Sequence, residues 1–162
     1  MIYERFSMYK FAIDYPNTWR IEFDPKSRRA EGYVIFTSPE NDMVFLTWGL
    51  LDKIRGKYDS LEAQAEASYS RIAYGRDVTR LNPIETKTIE LNGHRAVFKH
   101  FAMERRIGLR LIRANSKEIW SVHLQCKDTD RFFIIYESTP DTSRSREQGE
   151  IFSHMKDSFV CH

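Results

Sequence analysis

The sequence lacks the features that mark secreted and membrane-spanning proteins. Its 162 residues include only two cysteines, Cys126 and Cys161, which form neither a CxxC pair nor the framework of a small disulfide-rich domain. No apolar run approaches the roughly 20 residues that cross a bilayer. The first residues show no secretory signal, and neither end has a lipidation motif. We therefore predict a cytoplasmic protein with two free thiols, although sequence spacing leaves a disulfide between them open.

The sequence also lacks the motifs of the common enzyme classes. It contains no G-x-G-x-x-G, no Walker A, no H-E-x-x-H and no G-x-S-x-G motif. His94, His100 and His123 are the candidate metal ligands, but their spacing fits no compact site and no acidic cluster accompanies them. Asp128 and Asp130 fall in a turn, where aspartate is favoured for its backbone geometry. The sequence predicts no enzyme, no metal site and no cofactor.

The charge is nearly balanced, with 25 basic and 23 acidic residues, which argues against a general polyanion binder. One local excess stands out, because Glu104 is the only acid between residues 95 and 117. The cations of this stretch are Arg95, Lys99, Arg105, Arg106, Arg110, Arg113 and Lys117. They either protect an edge strand from pairing with other chains or contact an acidic partner or phosphates through charge-assisted hydrogen bonds.

The composition indicates a folded protein, with 41% hydrophobic and 14% aromatic residues, and the length suits one domain over 1–162. Residues 11–23 alternate between apolar and polar around a turn at Pro16, which is typical of two half-buried strands. Residues 32–37 and 43–51 are apolar on both sides and predict central strands that are covered on both faces.

Two amphipathic helices are predicted. The first begins with a capping box of Asp59 and Glu62 and has a buried stripe of Leu61, Ala65, Tyr69 and Ile72. The closing helix starts with Ser145 and Gln148, or earlier at Thr142. Its apolar side chains recur at helical spacing, at Ile151, Met155 and Phe159.

Hairpins connect most of the predicted strands. Asn92 and Gly93 separate two alternating runs, 84–91 and 94–103, which is a strong signal for a tight hairpin turn. A second hairpin joins 119–126 to 132–137 across residues 127–130. Residues 105–117 fit either a strand edge or an irregular basic loop. The expected fold is of the α+β class. It is an α/β/α sandwich with a central, mainly antiparallel sheet of about six to seven strands and a helix on each face.

The three tryptophans, Trp19, Trp48 and Trp120, all lie on the apolar phase of their strands and are expected in the core. A pocket walled by Trp48, Tyr69 and Phe98 is conceivable between helix and sheet, although no polar groups can be seen to converge on it.

Four segments together resemble a known superfamily. They are FAIDYPNTW at 11–19, VIFTSP at 34–39, LNGHRA at 91–96, and the closing residues at 151–159 with IF and DSF. In this order they resemble the PsbP-like superfamily, which includes the extrinsic PsbP subunit of photosystem II and the Ran-binding Mog-type proteins. The resemblance implies a non-enzymatic binding domain. It transfers no functional residues, because the matching positions are those that build the fold.

The functional hypothesis is a non-catalytic interaction module that contacts an acidic protein partner through the basic stretch, without a membrane partner. An alternative is an accessory protein that binds nucleic acid through the same cations. A third hypothesis is a small-ligand binder or enzyme, which requires a deep pocket with converging polar groups and perturbed titratable residues.

Overall fold

The computed structural model describes residues 1–74, 78–106, 114–139 and 142–162. Within these ranges the chain forms nine strands, two α-helices and two short 3₁₀ turns at Leu51–Lys53 and Thr142–Arg144. The strands are β1 Tyr3–Met8, β2 Phe11–Pro16, β3 Arg20–Phe23, β4 Glu31–Thr37, β5 Met43–Leu50, β6 Val78–Leu91, β7 His94–Arg106, β8 Ala114–Cys126 and β9 Arg131–Thr139. The helices are α1 Leu61–Ala73 and α2 Ser145–Ser158.

Seven strands form one sheet in the order β3-β4-β5-β9-β8-β7-β6, and every neighbouring pair is antiparallel. This confirms the predicted central antiparallel sheet. β1 and β2 pair in a separate two-stranded sheet. β1 was not predicted from the sequence. None of its six residues is buried, and apolar and polar side chains do not alternate regularly along Tyr3–Met8.

The two predicted hairpin turns are present. Asn92 and Gly93 both have positive φ, 47° and 83°, as the predicted tight turn requires. Asn92 is also tied to the carboxyl-terminal segment, because its side-chain amide donates a hydrogen bond to the carbonyl of Phe159. The turn between β8 and β9 has Asp130 at a φ of 53°.

The helices lie on opposite faces of the sheet, as predicted. Alternate residues of the strands point to α2, where Phe152 and Met155 pack into the main core with Trp48, Val122 and Ile135. The β1–β2 hairpin covers the same face, and the ring of Phe11 lies 5.0 Å from that of Trp48. On the other face α1 buries Leu61 and Ala65 against Val97. All three tryptophans are at most 6% exposed, so their assignment to the core is confirmed.

The predicted helix caps are wrong in detail. Ser60 rather than Asp59 caps α1, because its hydroxyl accepts a hydrogen bond from the backbone N–H of Ala63 at 3.1 Å. α2 follows directly on the 3₁₀ turn, so Arg144 takes the cap position and no side chain caps the helix. Ser145 is the first residue of α2 and Thr142 is the first residue of the 3₁₀ turn, so neither takes the cap position that the sequence predicted.

Cys126 and Cys161 are joined in a disulfide, with their Cα atoms 6.5 Å apart, so the prediction of free thiols is wrong. The topology explains the pairing. β8 ends at Cys126, and the last residues return to the same corner because Val160 forms an antiparallel bridge with Ala12 of β2. Sequence separation could not reveal this meeting, since it depends on the tertiary path of α2.

A buried polar cluster lies where α2 begins. The carboxylate of Asp42 accepts hydrogen bonds from Thr139 Oγ1 at 2.8 Å and from Arg144 Nη1 at 2.9 Å. Glu137 is fully buried nearby, and within the described ranges neither of its carboxyl oxygens has a hydrogen-bond partner. Burial raises the pKa of Glu137 to about 9, with the charge of Asp42 adding to the effect and Arg144 opposing it. Glu137 is therefore protonated in the folded protein at neutral pH.

Replacing Glu137 with glutamine should flatten the dependence of stability on pH. The pKa of Glu137 is raised from 4.5 in the folded state, so between pH 4.5 and 9 the folded protein holds a proton that the unfolded chain has lost. The contribution of this group to the free energy of unfolding is therefore complete below pH 4.5 and is lost as the pH rises towards 9. Glu137→Gln should be more stable than the wild type at pH 8, by up to about 5 kcal/mol at about 1.4 kcal/mol per pKa unit. Urea unfolding between pH 4.5 and 9 measures this difference. Glu22→Gln, at an exposed site on β3, is the control, and parallel pH profiles for Glu137→Gln and the wild type would contradict the assignment.

Candidate functional site

An open groove lies on the face of the sheet that α1 covers. α1 packs mainly on β6, β7 and β8, and β5 and β9 lie to one side of it, across the groove. Side chains that these two strands direct to this face are therefore only half-buried, among them Phe45, Thr47, Ile134 and Tyr136. The rings of Phe45 and Tyr136 stack with their centroids 4.6 Å apart and their planes within 4°. They form a flat apolar floor beside the helix.

The groove has a volume of about 550 Å³, within the range of small-molecule sites. Its lining is mainly apolar, with polar groups from the helix and from β8. The lining residues are Met43, Phe45, Thr47, Ala65, Ser68, Tyr69, Arg71, Ile72, Val78, Phe101, Met103, Lys117, Ile119, Ser121, His123, Ile134, Tyr136 and Ser138.

His123 lies at the base of the groove and is only 2% exposed. Its Nδ1 atom has no hydrogen-bond partner among the residues that the structure describes. Burial lowers the pKa of His123 from 6.5 to about 4, and the positive charge of Lys99 adds to the effect. The imidazole is thus neutral at physiological pH, and its Nδ1 can accept or donate a hydrogen bond according to the tautomer.

Charged side chains lie on the helix side of the groove and in a smaller cleft beside it, which Lys99 and Glu66 line. Lys99 is buried, forms an ion pair with Glu66 of α1, and places its Nζ 4.9 Å from the centre of the Tyr69 ring. Arg71 donates a hydrogen bond to the hydroxyl of Tyr58 at 2.7 Å. Lys117, from β8, lines the end of the groove.

The seven cations that the sequence predicts as a contact surface have different surroundings in the structure. Arg95 and Lys99 form ion pairs with Glu62 and Glu66 of α1, and Lys117 lines the groove. For Arg105 and Arg106 the structure describes the end of β7 but not the side chains, and Arg110 and Arg113 lie outside the described residues.

The three histidines considered as metal ligands do not share a face. His100 lies on the α2 side, stacks on Trp120 at 4.8 Å and hydrogen-bonds to Glu118. His123 points into the groove on the opposite side. The pocket conceived from Trp48, Tyr69 and Phe98 is also wrong, because Trp48 and Phe98 belong to the core on the α2 face and only Tyr69 lines the groove.

Sequence reasoning missed two features of this architecture. The first is the groove floor of Phe45, Ile134 and Tyr136. A signal for it was present, because β5 and β9 are apolar on both sides, whereas one 13-residue helix cannot cover the width of seven strands. Part of an apolar face was therefore expected to stay partly exposed. The second is a cluster of His94, Cys126, Cys161 and His162 at the corner of the disulfide. The spacing of these residues in the sequence does not predict it.

The chemistry of the groove favours binding. It offers an apolar surface, the buried neutral imidazole of His123, and the cations Arg71 and Lys117 among its lining residues. Ser121 and Ser138 are the hydroxyls of β8 and β9 that line it. Neither bonds to Nδ1 of His123, which has no partner within the described part of the chain, so no serine–histidine pair is formed through that atom.

The fold is similar to that of several solved structures. The solution structure of cyanobacterial PsbP (CyanoP) from Synechocystis superposes with a TM-score of 0.69 at 12% identity and covers 99% of this chain and 92% of its own. The Ran-binding protein Mog1p of Saccharomyces cerevisiae superposes with a TM-score of 0.66 at 11% identity, covering 99% and 96%. A Pseudomonas aeruginosa protein of unknown function, PA94, gives 0.54 at 12% identity, covering 99% and 97%. No family model and no curated protein matches the sequence.

The chain therefore has the PsbP-like/Mog1 fold, as the resemblance in the sequence implied. Identities of 11 to 12% establish the architecture and leave function to be argued from the site. Neither described helix has the length and apolar character needed to cross a membrane.

The titration of His123 gives a testable prediction. Because its pKa is lower in the folded protein than the ordinary 6.5, the unfolded chain takes up a proton first as the pH falls. The contribution of His123 to the free energy of unfolding is complete above about pH 6.5 and is lost between about pH 6.5 and about pH 4. The loss amounts to about 3 kcal/mol.

The difference between wild type and His123→Leu isolates this effect from the titration of Glu137. Urea unfolding at pH 7 and pH 4.5 should show that the wild type loses stability relative to His123→Leu as the pH falls. His154→Ala, at an exposed histidine of α2, serves as the matched control. An unchanged difference between the two pH values would show that His123 is not a buried neutral imidazole.

Proposed function

We propose that the chain is a single-domain, non-catalytic protein-interaction module that holds an acidic partner protein across the groove and the adjoining basic segment. The basic segment is residues 105–117, with the cations Arg105, Arg106, Arg110, Arg113 and Lys117. The observation that carries the proposal is an apolar groove with Lys117 at its end and Arg71 on its helix wall.

The arrangement fits the usual anatomy of a protein interface. Such interfaces have an apolar centre and a polar rim, and arginine is enriched in them. Phe45 and Tyr136 supply a flat aromatic floor in the groove, and aromatic residues often dominate binding energy. Among the proteins of similar fold, Mog1p is a Ran-binding protein, so the architecture is compatible with protein binding.

Arg95 and Lys99 have different parts in this proposal. The ion pair of Arg95 with Glu62 is solvent-exposed, with side-chain exposures of 64% and 42%, and exposed pairs contribute little stability. Arg95 can therefore exchange Glu62 for a carboxylate of the partner. Lys99 is 7% exposed and bound to Glu66, so it positions α1 beside the groove rather than meeting the partner.

Charge reversal tests the contact surface. A partner captured by the wild type from the native cytoplasm should bind Arg105→Glu/Lys117→Glu at least tenfold more weakly, because each charge-assisted hydrogen bond contributes about 1.5–3 kcal/mol. Thr47→Glu, which places a negative charge in the groove, should weaken the same partner. Quantitative capture followed by titration of the purified partner measures both effects.

The control is Arg146→Glu, at a fully exposed site on α2, which should bind the partner like the wild type. Capture that disappears on nuclease treatment and falls steeply with salt would favour the nucleic-acid alternative. Equal binding by Arg105→Glu/Lys117→Glu, Thr47→Glu and the wild type would exclude this surface.

The buried imidazole favours a second candidate, the binding of a small apolar molecule that carries one hydrogen-bonding group, a donor or an acceptor according to the tautomer of His123. Nδ1 of His123 lacks a partner at the base of a groove of about 550 Å³, and a buried polar atom is stabilised by any ligand that completes its hydrogen bond.

Native mass spectrometry of the purified chain tests the second candidate. A ligand that copurifies with the wild type should be lost from Ile134→Trp, which fills the groove, and be retained by Arg146→Glu. A wild-type mass equal to that of the bare chain, together with no thermal stabilisation by medium-chain alcohols, would exclude this function.

The predicted cytoplasmic location stays a prediction. In a reducing compartment Cys126 and Cys161 exist as thiols, whereas an oxidising one preserves their disulfide. The chemistry of the corner that they share therefore differs between the two environments.

A further inference from the structure

We propose that the reduced protein binds one Zn²⁺ ion through Cys126, Cys161, His94 and His162, and that the disulfide and the metal are alternative states of this site. The four donor atoms all lie within 4.8 Å of one another. They come from three places in the chain: the first residue of β7, the end of β8 and the carboxyl-terminal residues. The site faces the α2 side and is separate from the groove.

The nitrogen–sulfur distances match a tetrahedral zinc site. Nε2 of His94 lies 3.3 Å from Sγ of Cys161, and Nδ1 of His162 lies 3.5 Å from the same sulfur and 3.9 Å from Sγ of Cys126. Zinc–sulfur bonds of about 2.3 Å and zinc–nitrogen bonds of about 2.0–2.1 Å place tetrahedral neighbours about 3.5 Å apart. The two sulfurs must separate to about 3.8 Å once their covalent bond is broken.

The histidines are the observation that distinguishes a metal site from a plain structural disulfide. A disulfide needs no imidazole, yet two rings meet at this one, with centroids 5.1 Å apart. Two thiolates and two imidazoles form the Cys₂His₂ ligand set typical of zinc. The carboxylate of Asp128 lies 3.9 Å from His94 Nε2 and 3.8 Å from His162 Nδ1, so it adds negative charge that attracts a dication.

Burial and access also suit a metal. Cys126 and Cys161 are at most 1% exposed, which shields the thiolates from water, while the side chain of His162 is 51% exposed and leaves a path for the ion. The surrounding backbone is fixed by the bridge of Val160 with Ala12 and by the bond from Asn92 to Phe159. The donors are therefore held close together before the metal arrives.

The change between the two states balances with a dithiol as the reductant. The two sulfurs of this dithiol become a disulfide, the bond between Cys126 and Cys161 breaks, and the two electrons and two protons pass to the cysteine sulfurs. On metal binding each thiol loses its proton to solvent, and zinc takes the two thiolates and the two neutral imidazoles. A disulfide as the oxidant reverses the change: it accepts the two electrons from the thiolates and two protons from solvent to become two thiols, the bond between Cys126 and Cys161 forms, and the ion is released.

Zinc and cobalt titrations of the full chain test the proposal. After reduction with a phosphine, which takes oxygen from water and leaves two thiols, the wild type should bind one Zn²⁺ in competition with a chromophoric chelator. Co²⁺ should give the absorption bands of a tetrahedral site with thiolate ligands. The oxidised wild type should bind at least about a hundredfold more weakly, since neither sulfur is then a thiolate.

The histidine variants separate the four-ligand site from a pair of thiols. His94→Ala and His162→Ala should each weaken zinc binding by at least about tenfold and alter the cobalt spectrum, while His154→Ala should match the wild type. These variants keep both cysteines, so the test does not depend on the folding of cysteine variants. Failure of the reduced wild type to bind Co²⁺, or equal affinities in His94→Ala, His162→Ala and the wild type, would overturn the proposal.

Discussion

The architecture depends on one constraint: a seven-stranded sheet that is apolar on both faces must be covered on both. On one face α2 and the β1–β2 hairpin share the task, and residues such as Phe36, Leu46 and Phe133 are completely buried there. On the other face α1 is the helix among the described residues, and it packs mainly on β6, β7 and β8. The groove above β5 and β9 is the part of this second face that the described residues leave half-buried. Within the described part of the chain, the groove thus arises from unequal coverage of the two faces.

Covering the sheet on both faces also buries several polar side chains, which lose their contact with water. Glu137 of β9 and Gln148 of α2 are fully buried where the helix meets the sheet, and their side-chain nitrogen and oxygen atoms lack hydrogen-bond partners within the described residues. His123 is in the same situation on the groove side. Each such atom costs roughly 1–3 kcal/mol. Under α2 the cost is lowered by protonation of Glu137, whereas at the groove a ligand can remove it.

The sequence allowed the architecture to be predicted well, and the sites poorly. Alternation in strands, the stripe of Leu61 and Ala65, and the glycine turn at Gly93 are local signals, and each led to the right element. Helix caps were less reliable, because Ser60 and Asp59 are equally good candidates by residue type. The meeting of Cys126 with Cys161 and of His94 with His162 depends on how α2 returns the chain to β2, and no local pattern encodes that path.

The two sites lie on opposite faces of the sheet and can act independently. The groove is formed by outward residues of β5, β8 and β9 such as Tyr136, whereas the cluster of cysteines and histidines closes the covered face at the end of α2. The corner joins the carboxyl-terminal residues to β2 and β8, so its covalent or metal-bound state sets how firmly α2 is held. α1, which forms one wall of the groove, is held separately by the ion pair of Glu66 with the buried Lys99 of β7. A change of redox state can therefore alter the stability of the covered face while the binding surface on the other face keeps its shape.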